Sequence, residues 1–187
     1  GSEGRNEQTI ATDQDNGIVF TSSEPEADRR GWLAFAQEVN EALDASGYPL
    51  CKGNIMASNP DCCLTQREWL TRFADWIDHG APEDLLNASI YFDFRALAGD
   101  AIGLGALGVG HRGGSPAATW RPMRALVMQQ AGRNPRFMKQ MAENALRNAP
   151  ALNWHGGIDA QTQDGQEVVD LKLHGTAIYV DAARLYA

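Results

Sequence analysis

Two aspartates separated by one residue, Asp13 and Asp15, are the residues whose type and spacing best suit metal chemistry in this chain. On an extended strand, residues two positions apart point to the same face, so the two carboxylates would converge. Close carboxylates repel each other unless a divalent cation lies between them. Mg²⁺ is commonly bound by one or two carboxylates together with substrate phosphates. The spacing therefore predicts a cation site, and the competing interpretations are a Ca²⁺ loop or a turn with a helix cap.

The residues that precede this pair suit the binding of phosphate. Gly1, Ser2 and Gly4 are small, so a backbone can approach a phosphate closely there, and Ser2 adds a hydroxyl. Arg5 offers a planar fork of N–H donors for phosphate oxygens. The alternative role for Arg5 is an ion pair at the protein surface.

A Gly-Ser pair followed, after ten intervening residues, by Asp-x-Asp resembles the nucleotidyltransferases of the DNA polymerase beta type. The fuller string over residues 1–16 is similar to one branch of that superfamily, whose members resemble the N-terminal part of bacterial PII-protein uridylyltransferase. The resemblance extends over nearly the whole chain, in Cys51–Gly53, Met56–Pro60, Phe92–Arg95 with Gly99–Asp100, Glu143–Leu146, Asp170–Gly175 and Val180–Arg184. The last two stretches resemble the helical substrate-binding domain of the same branch.

The resemblance implies a transferase that depends on Mg²⁺ or Mn²⁺ and moves UMP or AMP from a nucleoside triphosphate to a hydroxyl of a protein or a small molecule. Asp13 and Asp15 would hold the metal, and Asp93 is the candidate for a third catalytic carboxylate. The expected nucleotide ligands are Gly1, Ser2, Arg5 and Lys172, and the expected substrate-side residues are Arg95, Asp181 and Arg184.

The implied setting is bacterial signal transduction in the cytoplasm, with a PII-like protein as a possible acceptor and CBS or cyclic-nucleotide-binding domains in the same full-length chain. A rival interpretation is a catalytically silent regulatory domain that senses nucleotide. A third is an interaction domain that docks an acidic partner through its basic segment. Structural alternatives also stand for Lys172 and Asp181, which could form an ion pair between helices, and for Arg95.

The chain departs from the superfamily pattern at three points. Gln14 and Asn16 occupy positions beside the aspartates that are usually apolar. We also expect the strand or helix that normally leads into the Gly-Ser pair to be missing. The third carboxylate should lie on a neighbouring strand, and residues 90–94 have the composition of a strand. The wider segment 85–98 also suits a helix, in which case Asp93 would line the cleft without binding metal.

The sequence also predicts the helices and strands that would position the candidate site residues. A short buried strand is predicted over residues 17–20, and Ser23 to Glu26 fits a capping box for a helix that ends at Gly47. Thr65 to Glu68 repeats the capping box before an apolar helical stripe. Two further helices are predicted, one over about residues 120–130 and one from Asn134 and Pro135 onward. A hairpin-like or disordered loop is predicted at 156–165, followed by a strand or extended stretch at 168–173. A last helix is predicted over residues 176–187.

The expected fold class is an α/β (α+β) nucleotidyltransferase core with a small mixed sheet over residues 1–98, followed by a helical substrate-binding domain over 99–187. We expect the core to be incomplete at its N-terminus and the helical domain at its C-terminus. The glycine-rich stretch 99–114 marks the boundary. Its match to the dinucleotide motif G-x-G-x-x-G is rejected because further glycines and a proline replace the helix that motif needs.

Composition narrows the possible partners. The 187 residues carry a net charge of −8, which argues against general nucleic-acid binding or an anionic membrane surface. Three cysteines without a C-x-x-C pair fit a reducing compartment. The charge is uneven, since residues 21–100 hold 14 acids and 6 bases while residues 101–150 hold 7 bases and 1 acid. The basic segment is either a solvated helical face or a wall that faces an anionic ligand or an acidic partner.

Overall fold

The computed structural model describes residues 2–8, 12–97 and 116–186. Within these ranges the strands and helices follow one another in the order β1 (Ile18–Phe20), α1 (Pro25–Ala45), β2 (Cys63–Thr65), α2 (Gln66–His79), α3 (Pro82–Tyr91), α4 (Pro116–Arg133), α5 (Pro135–Ala145), β3 (Gln161–Gln163), β4 (Gln166–Val168) and α6 (Ala177–Tyr186). The α/β class, with small sheets followed by a helical part, is confirmed. The expectations for Gly1 and for the glycine-rich stretch 99–114 lie outside the described residues.

A two-stranded parallel sheet lies at the centre of the first half. Ile18 of β1 is in register with Cys63 of β2, and Phe20 with Thr65. Helix α1 forms the crossover between the two strands, as parallel pairing requires. The antiparallel strands β3 and β4 form a separate hairpin. Among the described residues, the core therefore has one parallel pair where a small mixed sheet was expected.

Helix α1 begins differently from the prediction. Its N-cap is Glu24, whose backbone N–H donates to the Ser22 hydroxyl at 2.8 Å, so the capping box from Ser23 is wrong. The predicted end is confirmed, because Gly47 follows the C-cap with a φ of 98° that favours glycine. The helix turns Ala36 and Asn40 inward, whereas its apolar residues Phe35 and Val39 are 52% and 38% exposed.

Helix α2 is the helix that the sequence predicts most directly. The Thr65 hydroxyl accepts from the Glu68 N–H at 3.2 Å, and the Glu68 carboxylate accepts from the Thr65 N–H at 2.7 Å. These reciprocal bonds are the predicted capping box. The buried side chains of this helix are Trp69, Phe73, Trp76 and Ile77, as its apolar stripe indicates.

The ambiguous segment before residue 98 is a helix followed by an irregular stretch, so the strand alternative over residues 90–94 is wrong. Pro82 occupies the first turn of α3, and the Asp84 carboxylate accepts from the Ala81 N–H at 2.9 Å. These start signals outweigh the strand-like composition at the end of the segment. Phe92 and Phe94, which follow the helix, pack against the aromatic residues of α2.

The hydrophobic core joins elements from both sides of the expected boundary at residues 98 and 99. Met123 of α4 is 2% exposed and packs with Trp69 and Trp76 of α2. Phe137 of α5, also 2% exposed, packs with Ile77 of α2 in a second cluster. Helices α4 and α5 of the second half therefore pack against α2.

The C-terminal elements follow the predicted order with shifted bounds. The hairpin expected within 156–165 lies at Gln161–Val168, where Asp164 and Gly165 take the positive φ values of 51° and 78°. An Asp-Gly pair at those angles is the preferred two-residue hairpin turn. Helix α6 confirms the predicted last helix and packs on α5. In the ranges that the structure describes, no helix has the length and apolar character needed to cross a membrane.

Candidate functional site

The carboxylates of Asp13 and Asp15 converge, as their spacing predicts. Both side chains are exposed, and they lie on an extended segment immediately before β1. Their oxygens and the Cys51 sulfur all lie within 4.8 Å of one another. The structure thus brings together two carboxylates and one half-buried thiol.

Backbone hydrogen bonds hold this segment in its extended conformation. The Gln14 N–H donates to the Pro49 carbonyl at 3.1 Å, and the Asn16 N–H donates to the Ile55 carbonyl at 3.1 Å. Gln14 is 4% exposed, whereas its neighbours Asp13 and Asp15 are exposed. The alternation of an extended chain therefore turns the amides inward and the carboxylates outward.

A buried network of amides explains the polar residues beside the aspartates. Asn40 of α1 is 2% exposed, and its Nδ2 donates to Gln14 Oε1 at 2.7 Å and to Asn16 Oδ1 at 3.1 Å. Gln14 Nε2 in turn donates to the carbonyls of Asn40 at 2.9 Å and Tyr48 at 2.8 Å. Asn40 Oδ1 accepts from the Ser58 N–H at 3.1 Å. At these positions, where the superfamily usually has apolar residues, Gln14 and Asn16 form buried hydrogen bonds that position the aspartates.

Substitution of Asn40 by Leu is expected to lower the free energy of unfolding by about 2 kcal/mol, because the buried partners of its amide lose their hydrogen bonds. Affinity for a divalent cation should also fall, since the segment carrying the aspartates loses its anchor. Urea unfolding and calorimetric titration measure the two effects. The control Gln37→Leu changes an exposed amide on the same helix and should stay within about 0.5 kcal/mol of wild type. Equal losses in the two variants would contradict the role of the network.

The Cys51 thiol lies in an environment that favours its protonated form when no metal is bound. Burial raises the pKa of this thiol, backbone hydrogen bonds from residues 53 and 55 oppose the shift, and the charge of Asp15 adds to it. The motif Cys51–Gly53 belongs to the resemblance described above, but nothing in its sequence indicates that the thiol lies beside the aspartates. That contact depends on how the loop from Pro49 to Ile55 folds back.

A second cluster of charges surrounds Asp93. Arg5 Nη1 donates to Asp93 Oδ2 at 2.5 Å, and Arg184 Nη2 donates to the same oxygen at 2.5 Å. Arg184 Nη1 also donates to Asp181 Oδ1 at 2.6 Å. Burial alone would raise the pKa of Asp93, but the hydrogen bonds and charges of Arg184 and Arg5 hold it below its usual value. Asp93 is therefore an ionised carboxylate shared by two guanidinium groups.

This arrangement modifies the role expected for Asp93. Asp93 lies on no strand. Among the described residues, the side chain grouped with Asp13 and Asp15 as a possible metal ligand is Cys51 and not Asp93. Asp93 instead brings together three residues that the sequence assigned to nucleotide or substrate: Arg5, Arg184 and Asp181.

Gly4 was expected to let the backbone approach a phosphate, and in the structure it lies against the backbone of Asp93. A methyl group at this position would overlap the carbonyl oxygen of Asp93. The Ser2 carbonyl accepts from the Arg5 N–H at 3.1 Å and from the Glu7 N–H at 3.0 Å, which closes a turn around Gly4. The small residue thus allows the N-terminal motif to lie against the Asp93 backbone and lets Arg5 reach its carboxylate.

The remaining predicted residues, Lys172 and Arg95, lie at the protein surface. Lys172 is exposed in a short π-helical turn before α6, and Arg95 is exposed after α3. The hydrogen-bond partners that the described residues offer Asp181 are Arg184 and Asn148, so the alternative of an ion pair between Lys172 and Asp181 is wrong.

Part of the basic segment has a structural role. Arg136 of α5 donates to the carbonyl oxygens of Asp78 and His79 at the C-terminus of α2. Lys139 pairs with Glu143 at 3.5 Å on the exposed face of α5. A cation at a helix C-terminus is favourable and Lys139 has an acidic partner, so neither base needs a ligand to explain it.

Comparison with known proteins adds two findings. The family model described as "Putative nucleotidyltransferase DUF294" matches residues 1–83, and the model described as "Putative nucleotidyltransferase substrate binding domain" matches residues 135–187. No curated protein and no solved structure matches the chain significantly. The two models cover most of the chain in the expected order and support a general role in nucleotidyl transfer. Residues 1–83 therefore match a nucleotidyltransferase domain, and residues 135–187 match the substrate-binding domain that accompanies it.

Proposed function

We propose that this chain is a metal-dependent nucleotidyltransferase that moves UMP or AMP from a nucleoside triphosphate to a hydroxyl of a protein or a small molecule. The observation that carries the proposal is the convergence of two exposed carboxylates, Asp13 and Asp15, on a segment held by buried hydrogen bonds. The matches of residues 1–83 and 135–187 to nucleotidyltransferase models support the reaction class.

The donor set of this site suits a divalent cation. Asp13 and Asp15 offer oxygen ligands of the kind that Mg²⁺ and Mn²⁺ prefer, and a cation would relieve the repulsion between them. When bound, the metal supplies charge stabilisation at the phosphate oxygens and lowers the pKa of the attacking hydroxyl. Because both carboxylates face solvent, a triphosphate has access to the same edge.

The reaction proposed is an in-line transfer at the α-phosphorus. The oxygen of the acceptor hydroxyl forms a bond to that phosphorus, the bond to the pyrophosphate oxygen breaks, pyrophosphate leaves, and the hydroxyl proton passes to solvent. We propose that Arg5, which pairs with Glu7 and Asp93 at the N-terminal turn, also binds phosphate oxygens through its guanidinium group. Asp93 acts as a positioning residue that orients Arg5 and Arg184.

Further roles follow from the family resemblance. Gly1 and Ser2 would contact phosphate, Lys172 would bind the nucleotide, and Arg95 and Asp181 would face the acceptor. Helix α6, which carries Asp181 and Arg184, lies in the region matched by the substrate-binding model. We further propose a cytoplasmic location, a PII-like acceptor and a division into a core over residues 1–98 and a helical domain over residues 99–187.

A second candidate function is a nucleotide-sensing domain without transfer activity. The observation that favours it is the environment of Asp93, whose carboxylate is shared by Arg5 and Arg184 rather than lying beside Asp13 and Asp15. A superfamily site without its third carboxylate would retain nucleotide binding and lose the chemical step.

Incubation with each α-labelled nucleoside triphosphate, in the presence of Mg²⁺ or Mn²⁺, separates the two functions. Small PII-like proteins and simple alcohols serve as acceptors, and release of pyrophosphate is followed alongside transfer of label. Label on an acceptor with equal release of pyrophosphate supports the transferase. Nucleotide binding without release supports the sensing domain, and absence of both contradicts the proposed function.

A further inference from the structure

We propose that Cys51 is the third protein ligand of the cation held by Asp13 and Asp15, and that its thiolate makes the site prefer cations that accept sulfur over Mg²⁺. The inference rests on the proposed function, because it concerns the cation of the same site. It assigns to Cys51 a role beyond the two aspartates.

The distances among the three side chains permit this coordination. The sulfur and the carboxylate oxygens lie within 4.8 Å of one another. In a tetrahedral site with typical Zn–S and Zn–O bonds, ligand atoms are separated by about 3.5 Å. Small side-chain rotations would therefore close the three ligands on one cation without movement of the backbone.

Backbone hydrogen bonds position the segment that carries the Cys51 thiol as well as the segment that carries the aspartates. The Gln14 N–H donates to the Pro49 carbonyl and the Asn16 N–H to the Ile55 carbonyl. These two bonds lie on either side of Asp15 in the first segment and on either side of Cys51 in the second. The Asn54 N–H donates to the Cys51 carbonyl at 2.9 Å, which closes the turn that follows the thiol. The same contacts thus hold the thiol and the two carboxylates in one arrangement.

The ligand types determine the preference among cations. Mg²⁺ takes oxygen ligands in near-octahedral geometry, whereas a thiolate favours softer cations such as Zn²⁺ or Cd²⁺. Coordination requires loss of the thiol proton, so binding of such a cation should release a proton to the buffer. The other two cysteines, Cys62 and Cys63, are fully buried at 0% exposure and lie outside this ligand group.

Titration of the metal-free chain with Cd²⁺ tests the assignment through the ultraviolet charge-transfer absorption of a cadmium–thiolate bond. We expect the wild-type chain to develop this band, saturating at one Cd²⁺ per chain. Cys51→Ser should lose the band and bind Cd²⁺ at least about tenfold more weakly, with its Mg²⁺ affinity nearly unchanged. The control Cys63→Ala should keep the band.

The outcomes separate this inference from the proposed function. If the wild-type chain binds Mg²⁺ and a nucleoside triphosphate but shows no thiolate band, or if Cys51→Ser retains the band, the role of Cys51 is overturned and the proposed function stands. If neither Mg²⁺ nor Cd²⁺ binds the wild-type chain, both are overturned.

Discussion

Substitution of Asp15 by Asn should reduce nucleotidyl transfer about a thousandfold, which corresponds to about 4 kcal/mol of transition-state stabilisation. The reason is that the neutral amide removes one of the two charges that bind the cation. Asp13→Asn should have a comparable effect. The rate of pyrophosphate release at saturating nucleotide measures the loss.

The fold should not change in these variants, because both aspartate side chains are exposed. Without metal, the free energy of unfolding should stay within about 0.5 kcal/mol of wild type. Added Mn²⁺ should raise the melting temperature of the wild type and leave that of Asp15→Asn unchanged, since only a state that binds the cation gains stability from it. Asp28→Asn, an exposed aspartate of α1, is the matched control. Wild-type transfer rates in Asp15→Asn would contradict the assignment.

Removal of the Asp93 carboxylate should have the largest effect on stability. Asp93→Ala is expected to lower the free energy of unfolding by about 3–5 kcal/mol, because the guanidinium groups of Arg5 and Arg184 lose the charge that compensates them. The Asp93 and Arg184 side chains are 14% and 13% exposed, so water replaces the lost partner poorly. Urea unfolding at neutral pH measures the difference.

The matched control breaks an exposed pair on α5. Glu143→Ala removes the partner of Lys139, whose side chain is 76% exposed, and should cost no more than about 0.5 kcal/mol. In a double-mutant cycle, Asp93→Leu combined with Arg184→Met should be less destabilising than the sum of the single changes. If Asp93→Ala costs no more than Glu143→Ala, the cluster contributes nothing to stability.

The pH dependence of stability has a definite sign. The pKa of Asp93 is lowered in the folded chain from an ordinary value of 3.8, so its stabilising contribution is complete above about pH 4. The contribution is lost as the pH falls through the lower folded-state pKa. Wild type should therefore lose more stability than Asp93→Asn between pH 5 and pH 2, as measured by urea midpoints. Parallel curves for the two proteins would contradict the lowered pKa.

The convergence of Asp13 and Asp15 could be predicted from local sequence alone. The alternation of an extended chain predicts that Asp13 and Asp15 share a face, and the structure confirms it. The same rule places Gln14 and Asn16 on the inner face, but their amides need partners that the local sequence does not identify. The partner is Asn40, which lies more than 20 residues away on α1.

Long-range contacts decide the rest of the candidate site. The composition of residues 90–94 favours a strand, yet α3 begins at Pro82 and continues to Tyr91, and the following phenylalanines pack on α2. Cys51 reaches the aspartates, and Arg184 reaches Asp93, only after loops and helices distant in sequence have packed. Neither contact has a spacing or a pattern that local reasoning can recognise.

Diffraction from crystals grown with Mn²⁺ and a non-hydrolysable nucleoside triphosphate tests the central claim most directly. Anomalous scattering locates the manganese without reference to any assumed site. We predict a manganese ion about 2.1 Å from carboxylate oxygens of both Asp13 and Asp15, with triphosphate oxygens among its other ligands. A triphosphate bound elsewhere on the chain, or a manganese ion that contacts neither aspartate, would contradict it.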